Sequence, residues 1–551
     1  MSSPALPSLA DARTLLAAAD SLLDAALASA KAITKHGAAI DDHQVLSERV
    51  AYAATEARAA RELIEYAEGM QKEGRADALL LGTAAAGAAD LVGSLVARLS
   101  PALDDLGLGD AALEQSFPAV VRKQLRAASN EAVFRAIGLE TAKRRGRNET
   151  PLDETLEQVR ASVREFAEKE IAPHAEHIHR HDDLIPEEFI TKMAELGYFG
   201  LSVPEEFGGT EMGNLAMILT TEELSRASLA AAGSLITRPE ILTKALMAGG
   251  TEEQKKFWLP KIAAGELMVG ISVTEPDIGS DVAGVKCRAD RATVGGVDGW
   301  VVNGPKSWCT FAGRANVLAL LLRTDPDMSK GAKGLSLFIA EKEAHRGHAF
   351  TCTQKTGGKL EGKADATVGY RGMHSYTLNF ENWFVPAANL VGQEGGLGKG
   401  FYLQMGGFAA GRLQTGGRAC GLAQAALESA CVYVLDRIQF GKATVEYGLT
   451  QFMIGKMAAK LAASRAITYA AAVAMDEDER KAAPLAAQAK LLSCDIAVTI
   501  TQDAQLLHGG WGYAEEYPIS RYAVDALVLP IFEGVKPILE LRVVAKSLLA
   551  E

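Results

Sequence analysis

A chain of 551 residues exceeds what one hydrophobic core accommodates, so roughly two to four domains are expected. Hydrophobic residues are 48% and charged ones 23%, an ordinary globular composition, and the net charge of −12 without a lysine or arginine stripe argues against nucleic acid as a partner. The six cysteines (Cys287, Cys309, Cys352, Cys420, Cys431, Cys494) form no CxxC pair and no zinc spacing, which points to reduced cysteines. No basic segment precedes an apolar run at the N-terminus, and no uninterrupted apolar run of about 18 residues occurs, so a cytoplasmic protein with no membrane span is expected.

The first 148 residues read as an alanine-rich helical extension. Leu15, Ala19, Leu22 and Ala26 fall at helical spacing, and small side chains favour close helix packing. The polar stretch RRGRNETPLDET (Arg144 to Thr155) marks a boundary. A helical domain over residues 149–270 follows, interrupted by the turn-rich VPEEFGGTEMG.

From 271 to 386 the period changes. GWVVNGPKSWCTF, VLALLLRT and GLSLFIAE are short β-type runs between glycines and prolines, and YTLNFENWFVP alternates Tyr376, Leu378 and Phe380 against Thr377, Asn379 and Glu381. Residues 387–551 return to helix. Met453, Met457 and Leu461 share one face, as do Leu485, Ala489, Leu492, Ile496 and Ile500, which is core patterning. GGLGKGF (Gly395 to Phe401) follows no Rossmann-like strand and reads as a flexible entry to the next helix.

TEPDIGSD (Thr274 to Asp281) is the stretch with chemistry in it. A proline turn frees backbone N–H groups, Gly279 permits close approach and Ser280 offers a hydroxyl, which together suit a phosphate. Alone it would pass for an ordinary turn between helix and strand. It is one of five motifs in order, with NGPKSWCTFAG (Asn303 to Gly313), DRIQFGK (Asp436 to Lys442), LLHGGWGY (Leu506 to Tyr513) and IFEGVKPIL (Ile531 to Leu539).

In that order the motifs resemble the acyl-CoA dehydrogenase family over about 400 residues. The resemblance implies an α+β fold of α-domain, β-domain and α-domain, preceded here by the extra all-helical region, and an FAD enzyme acting on an acyl-CoA. It implies FAD contacts at Val273, Thr274, Gly279, Ser280, Trp308 and Thr310, with Arg437, Gln439, Phe440, Gly509 and Gly510 reaching the FAD of a neighbouring subunit; hence a homo-oligomer, dimer or tetramer. DRIQFGK corresponds to a helical segment of the family. Glu533 matches the family's catalytic base, and a carboxylate in a dry pocket suits removal of a proton alpha to a thioester. Substrate contacts are implied at Ser280, Arg412 and Gly534. The chain departs from the pattern at Leu506, where glutamine is usual and Gln505 is one residue early, at Cys309, and at Val535 on the flavin side, where a threonine hydroxyl is lost.

Arg238 lies in an apolar stretch that lines the acyl pocket by resemblance. A buried arginine there needs either an acid such as Glu240 or a substrate carboxylate. The wording of the motifs together with the extension points to a branch whose short, methyl-branched thioester carries a free carboxylate, with electron-transfer flavoprotein as the electron acceptor. The rival readings are a general short- or branched-chain dehydrogenase, an acyl-CoA oxidase, and a non-catalytic scaffold. The histidines of HAEHIHRH (His174, His177, His179, His181) have no poised carboxylate, so a solvated helix end and no metal are expected.

Overall fold

The computed structural model describes residues 6–147 and 150–550. The expected boundary at 148/149 falls on the two internal residues outside that set. By contacts the chain divides into two units, residues 1–158 with 415–551, and residues 159–414.

In the first unit the extension and the C-terminal helices share one interior. Helix Leu9–Ile33 starts at a capping box between Ser8 and Asp11 and buries Leu15, Ala19, Leu22 and Ala26 on one face. Gln44–Lys72, Ala78–Leu99 and Glu131–Lys143 follow, and all three pack on Gly448–Glu477. Small residues set this packing. A Cβ on Gly138 would stand 1.8 Å from the Gln451 carbonyl, and one on Gly455 would stand 2.0 Å from that of Phe134, so the two helices cross with backbones in contact. Arg542 pairs with Asp41 at 2.7 Å, and the Tyr52 hydroxyl donates to Asp495 at 2.5 Å. Two helical stretches, Ala78–Ala102 and Glu479–Gly512, have the length and hydropathy of membrane spans, but 67% and 72% of their apolar windows are buried among the other helices. They are core helices.

The second unit is an eight-stranded sheet with helices on one part of it: β1 (Val269–Ser272), β2 (Arg288–Val294), β3 (Val297–Thr310), β4 (Val317–Arg323), β5 (Leu335–Glu341), β6 (Ala349–Thr353), β7 (Lys359–Ala364) and β8 (Ser375–Pro386). The order is β1-β4-β2-β3-β8-β7-β6, with β5 beside β4. β8 alternates as its sequence indicates, Tyr376, Leu378 and Phe380 inward. β4 is buried throughout because both its faces are covered. Leu318, Leu320 and Leu322 join the sheet's own core with Trp300 and Phe380, while Val317 and Ala319 pack against Leu242, Leu246, Trp258 and Leu259 of helices Thr237–Gly249 and Glu252–Ala263.

Two expectations are corrected here. The glycine-rich segment before helix Gly400–Asp436 is tightly fitted, since a Cβ on Gly396 would meet the Val391 carbonyl at 1.8 Å and one on Gly400 would meet the Ser336 backbone at 2.3 Å. Its glycines serve close backbone packing. DRIQFGK does not continue the helix, which ends at Asp436; Ile438–Gln439 pairs antiparallel with Lys442–Ala443 through a turn in which Phe440 and Gly441 have φ of +50° and +82°.

Candidate active site

In the second unit, Val273 to Asp281 leaves the end of β1 as a loop closed on itself: the Glu275 and Ile278 backbones exchange hydrogen bonds at 2.9 and 3.1 Å. Two motif side chains to which the sequence reading assigned no role pin it. Lys306, fully buried, donates to Glu275 Oε1 and to the Val273 carbonyl, both at 3.0 Å. Glu275 also accepts the backbone N–H groups of Lys286 and Cys287 at 2.9 and 2.8 Å. A buried ion pair whose remaining lone pairs are satisfied fixes geometry more than it adds stability. What it fixes is the tip: Val273 is buried, Thr274 half-buried with its carbonyl accepting the Ser307 N–H at 2.8 Å, while Gly279 and Ser280 are exposed with open space at the Gly279 Cβ position.

The same lysine sits beside a register shift in β3, between Lys306 and Cys309 opposite β8. In this bulge Trp308 has φ of +57° and its side chain is 59% exposed. A bulge re-aims a side chain, so this indole is presented outward, whereas Cys309 turns inward beside Ser272 Oγ at 3.2 Å and burial pushes its thiol up to about 12. Thr310 shares a hydrogen bond with Ser375 at 3.0 Å. Loop amides, an exposed hydroxyl and a presented indole are the donors and the flat apolar surface that a flavin nucleotide requires, and the residues of this unit fit that group.

Arg238, 4% exposed at the start of helix Thr237–Gly249, donates to the Ser234 carbonyl at 3.1 Å. Among the described residues no carboxylate lies within ion-pair distance of it. Glu240 is engaged elsewhere, accepting from Gln414, whose Oε1 in turn accepts from Thr237 at 2.8 Å. Arg412 is half-buried on helix Gly400–Asp436.

In the first unit, Glu533 occupies a turn after the C-terminal helices with φ of +57°, next to Gly534 at +104°. Its side chain is 7% exposed and its Oε1 lies 3.6 Å from the guanidinium of Arg418. Lys490 donates to the Gly534 carbonyl at 2.6 Å, and Val535 begins the following helical turn. A non-glycine residue in the left-handed region costs on the order of 1–3 kcal/mol and persists only where the surroundings impose it. Neither Arg418 nor Lys490 belongs to the five motifs, because their spacing from Glu533 in sequence gives no signal.

Gly509 ends helix Glu479–His508 with φ of +60°, and Gly510 is exposed beside it. Gln505 donates to the Gly512 carbonyl at 2.9 Å and closes that turn, while Leu506 is 71% exposed. Phe440, at the tip of the small hairpin that also holds Gln439, is 95% exposed, and Arg437 directly follows the helix end.

In the histidine-rich helix end His174, His177 and His181 are exposed, as a solvated terminus requires, whereas His179 is buried. His177 lies 3.2 Å from Asp183, and the left-handed cap Asp182 receives His374 at 3.1 Å. Asp182, His348 and His374 place possible ligand atoms within 4.8 Å of one another, although Arg371 stands 3.5 Å from the same carboxylate oxygen and supplies a cation there.

Sequence comparisons agree with this geometry. The acyl-CoA dehydrogenase N-terminal, middle and C-terminal domain models match residues 153–266, 270–383 and 398–549. The chain belongs to the acyl-CoA dehydrogenase family, whose enzymes use FAD and act on acyl-CoA thioesters. It is 36% identical over 524 residues to (2S)-methylsuccinyl-CoA dehydrogenase of Cereibacter sphaeroides, covering 93% of this chain and 92% of that one. Among solved structures, butyryl-CoA dehydrogenase from Megasphaera elsdenii is matched over its whole length by 73% of this chain, at 28% identity and a TM-score of 0.66. A chain from a structure of the electron transferring flavoprotein of Acidaminococcus fermentans matches at 30% identity and a TM-score of 0.64, covering 72% of this chain and 98% of its own. The all-helical region before residue 153 is therefore additional to the family's three domains.

Proposed function

We propose that this dehydrogenase oxidises (2S)-methylsuccinyl-CoA to mesaconyl-CoA, as the ethylmalonyl-CoA pathway requires, and passes the electrons to electron-transfer flavoprotein. The observation that carries the substrate is Arg238. A buried guanidinium without an acidic partner among the described residues is costly, and a planar carboxylate is the ligand that its two-pronged geometry matches. The match to the methylsuccinyl-CoA enzyme extends over 93% of this chain and so takes in most of the helical extension.

Glu533 takes the α-proton on its carboxylate; the β C–H bond breaks with its electron pair, and the Cα–Cβ double bond forms. The developing enolate charge on the thioester oxygen is met by the backbone N–H of Glu533, which sits in a turn with φ of +57°. Bound FAD supplies the two-electron acceptor for the hydride. Val273, Thr274, Gly279, Ser280, Trp308 and Thr310 would hold it, and Arg437, Gln439, Phe440, Gly509 and Gly510 would serve the FAD of a neighbouring copy. An apolar side chain as exposed as Phe440 supports a homo-oligomer. Gln505, already used within its own turn, would not replace the missing flavin contact at Leu506.

Anaerobic titration of the holoenzyme with methylsuccinyl-CoA, beside butyryl-CoA and isovaleryl-CoA, tests the substrate. Bleaching of the flavin band at the lowest concentration by methylsuccinyl-CoA, and loss of that preference in Arg238→Gln, are expected. Equal bleaching by the uncharged thioesters would leave a general branched-chain dehydrogenase.

A further inference from the structure

Arg418 is the largest fully buried side chain among the described residues, and no motif accounts for it. Its guanidinium lies 4.6 Å from the centroid of the Phe532 ring, donates to Thr415 Oγ1 at 2.6 Å and stands 3.6 Å from Glu533 Oε1. One side chain thus grips the residue before the base, and the base itself, from helix Gly400–Asp436. From helix Glu479–His508, Lys490 holds the carbonyl of the residue after it.

The chemistry proposed above gives this cation a specific task. In a succinyl-type thioester the free carboxylate is bonded directly to the β-carbon, and the base must reach the proton on the adjacent α-carbon. Base and substrate carboxylates are then brought within a few ångströms in a site from which water is excluded. With Arg238 taken up by the substrate carboxylate, the base needs a cation of its own, because a neighbouring carboxylate favours its protonated form and a base that picks up a proton is no base. A thioester ending in an alkyl group imposes no such demand.

We propose that Arg418 is the positioning residue of this base, a resident counter-charge that holds and aims the Glu533 carboxylate while a thioester bearing its own β-carboxylate is oxidised. The inference rests on the dicarboxylate reading of the substrate. Other charged or titratable groups face the same turn. Lys490 donates to the Gly534 carbonyl at 2.6 Å, Asp495 and Lys536 pair at 2.5 Å, and burial pushes the neighbouring Cys494 thiol up to about 12, so it stays neutral. Glu540, 3.8 Å from Lys536, carries no positive charge.

The test compares wild type, Arg418→Gln and Arg418→Lys as holoenzymes. The substrates are methylsuccinyl-CoA and isovaleryl-CoA, a branched thioester of similar size that carries no carboxylate on its β-carbon. The readouts are kcat against pH, KM, and calorimetric Kd values for the two product thioesters. Losing the cation favours the protonated base, so Arg418→Gln is expected to move the acid limb of kcat up by about one pH unit or more with either substrate. It should also lower kcat for methylsuccinyl-CoA at least about tenfold more than for isovaleryl-CoA, and weaken the carboxylate-bearing product selectively. Arg418→Lys should hold the limb and the discrimination while losing some rate. An unmoved limb with equal losses on both thioesters at full flavin content would reduce Arg418 to packing and overturn the proposal. If Arg418→Gln does not fold, lost discrimination in Arg418→Lys with an unmoved limb overturns it equally. A wild type indifferent to methylsuccinyl-CoA would sink the substrate reading separately, and the acid-limb comparison on isovaleryl-CoA would still decide the role of Arg418.

Discussion

Lys306 and Glu275 show how the conformation of an exposed loop depends on residues buried beneath it. Their ion pair is buried, with exposures of 0% and 5% for the two side chains, and it ties the loop at Thr274 to the strand that presents Trp308. Lys306→Met leaves Glu275 buried without its cation, for which a destabilisation of about 3–5 kcal/mol is expected. Urea unfolding and the ratio of flavin to protein absorbance should fall together, and retention of full flavin would show that the loop does not need the pair. Glu540 makes the second residue-level case. Burial raises its carboxyl to about 7, above the ordinary 4.5, so the folded state favours the protonated form. Its contribution to stability is full below about 4.5 and is lost as pH rises through about 7. Glu540→Gln should therefore gain in Tm over wild type as pH goes from about 5 to about 8, and parallel Tm curves would refute the buried-acid account. The motif residues themselves were legible because each sits in a short contiguous stretch. The pairings of Lys306, Arg418 and Lys490 were not, since their partners lie 31, 115 and 44 residues away.

Among the elements, β8 and the helix Leu9–Ile33 follow their hydrophobic periods, because each buries one face; helix Glu479–His508 instead buries every residue from Leu485 to Cys494. DRIQFGK does not continue its helix, since two successive left-handed residues outweigh the helical run before them. The crossing of Glu131–Lys143 with Gly448–Glu477 is likewise decided by glycine pairs that look incidental in either helix alone. Gly138→Val and Gly455→Leu each drive a side chain into a backbone carbonyl. Each should cost at least about 1–3 kcal/mol and lower the melting temperature by circular dichroism; a neutral Gly455→Leu would mean the helices separate freely.

At the scale of the whole molecule, the extension and the C-terminal helices belong to one contact unit, so the added region extends the core of the unit that carries Glu533. The exposed Phe440 belongs to the same unit, and on the reading proposed above a second copy covers it. Phe440→Asp is expected to lower the mass seen by light scattering and to release flavin, and an unchanged mass would remove the hairpin from the interface. The family, the order of helix, sheet and helix, and the cofactor were readable from the sequence alone, because these are written in local motifs and in the periods of single elements. Only the tertiary structure decided that Arg238 has no acidic partner among the described residues, that Trp308 is turned outward by a bulge, and that a buried arginine faces Glu533. Those facts arise from elements far apart in the chain packing together, and charge compensation inside a protein depends on distance in space, which no local pattern of residues records.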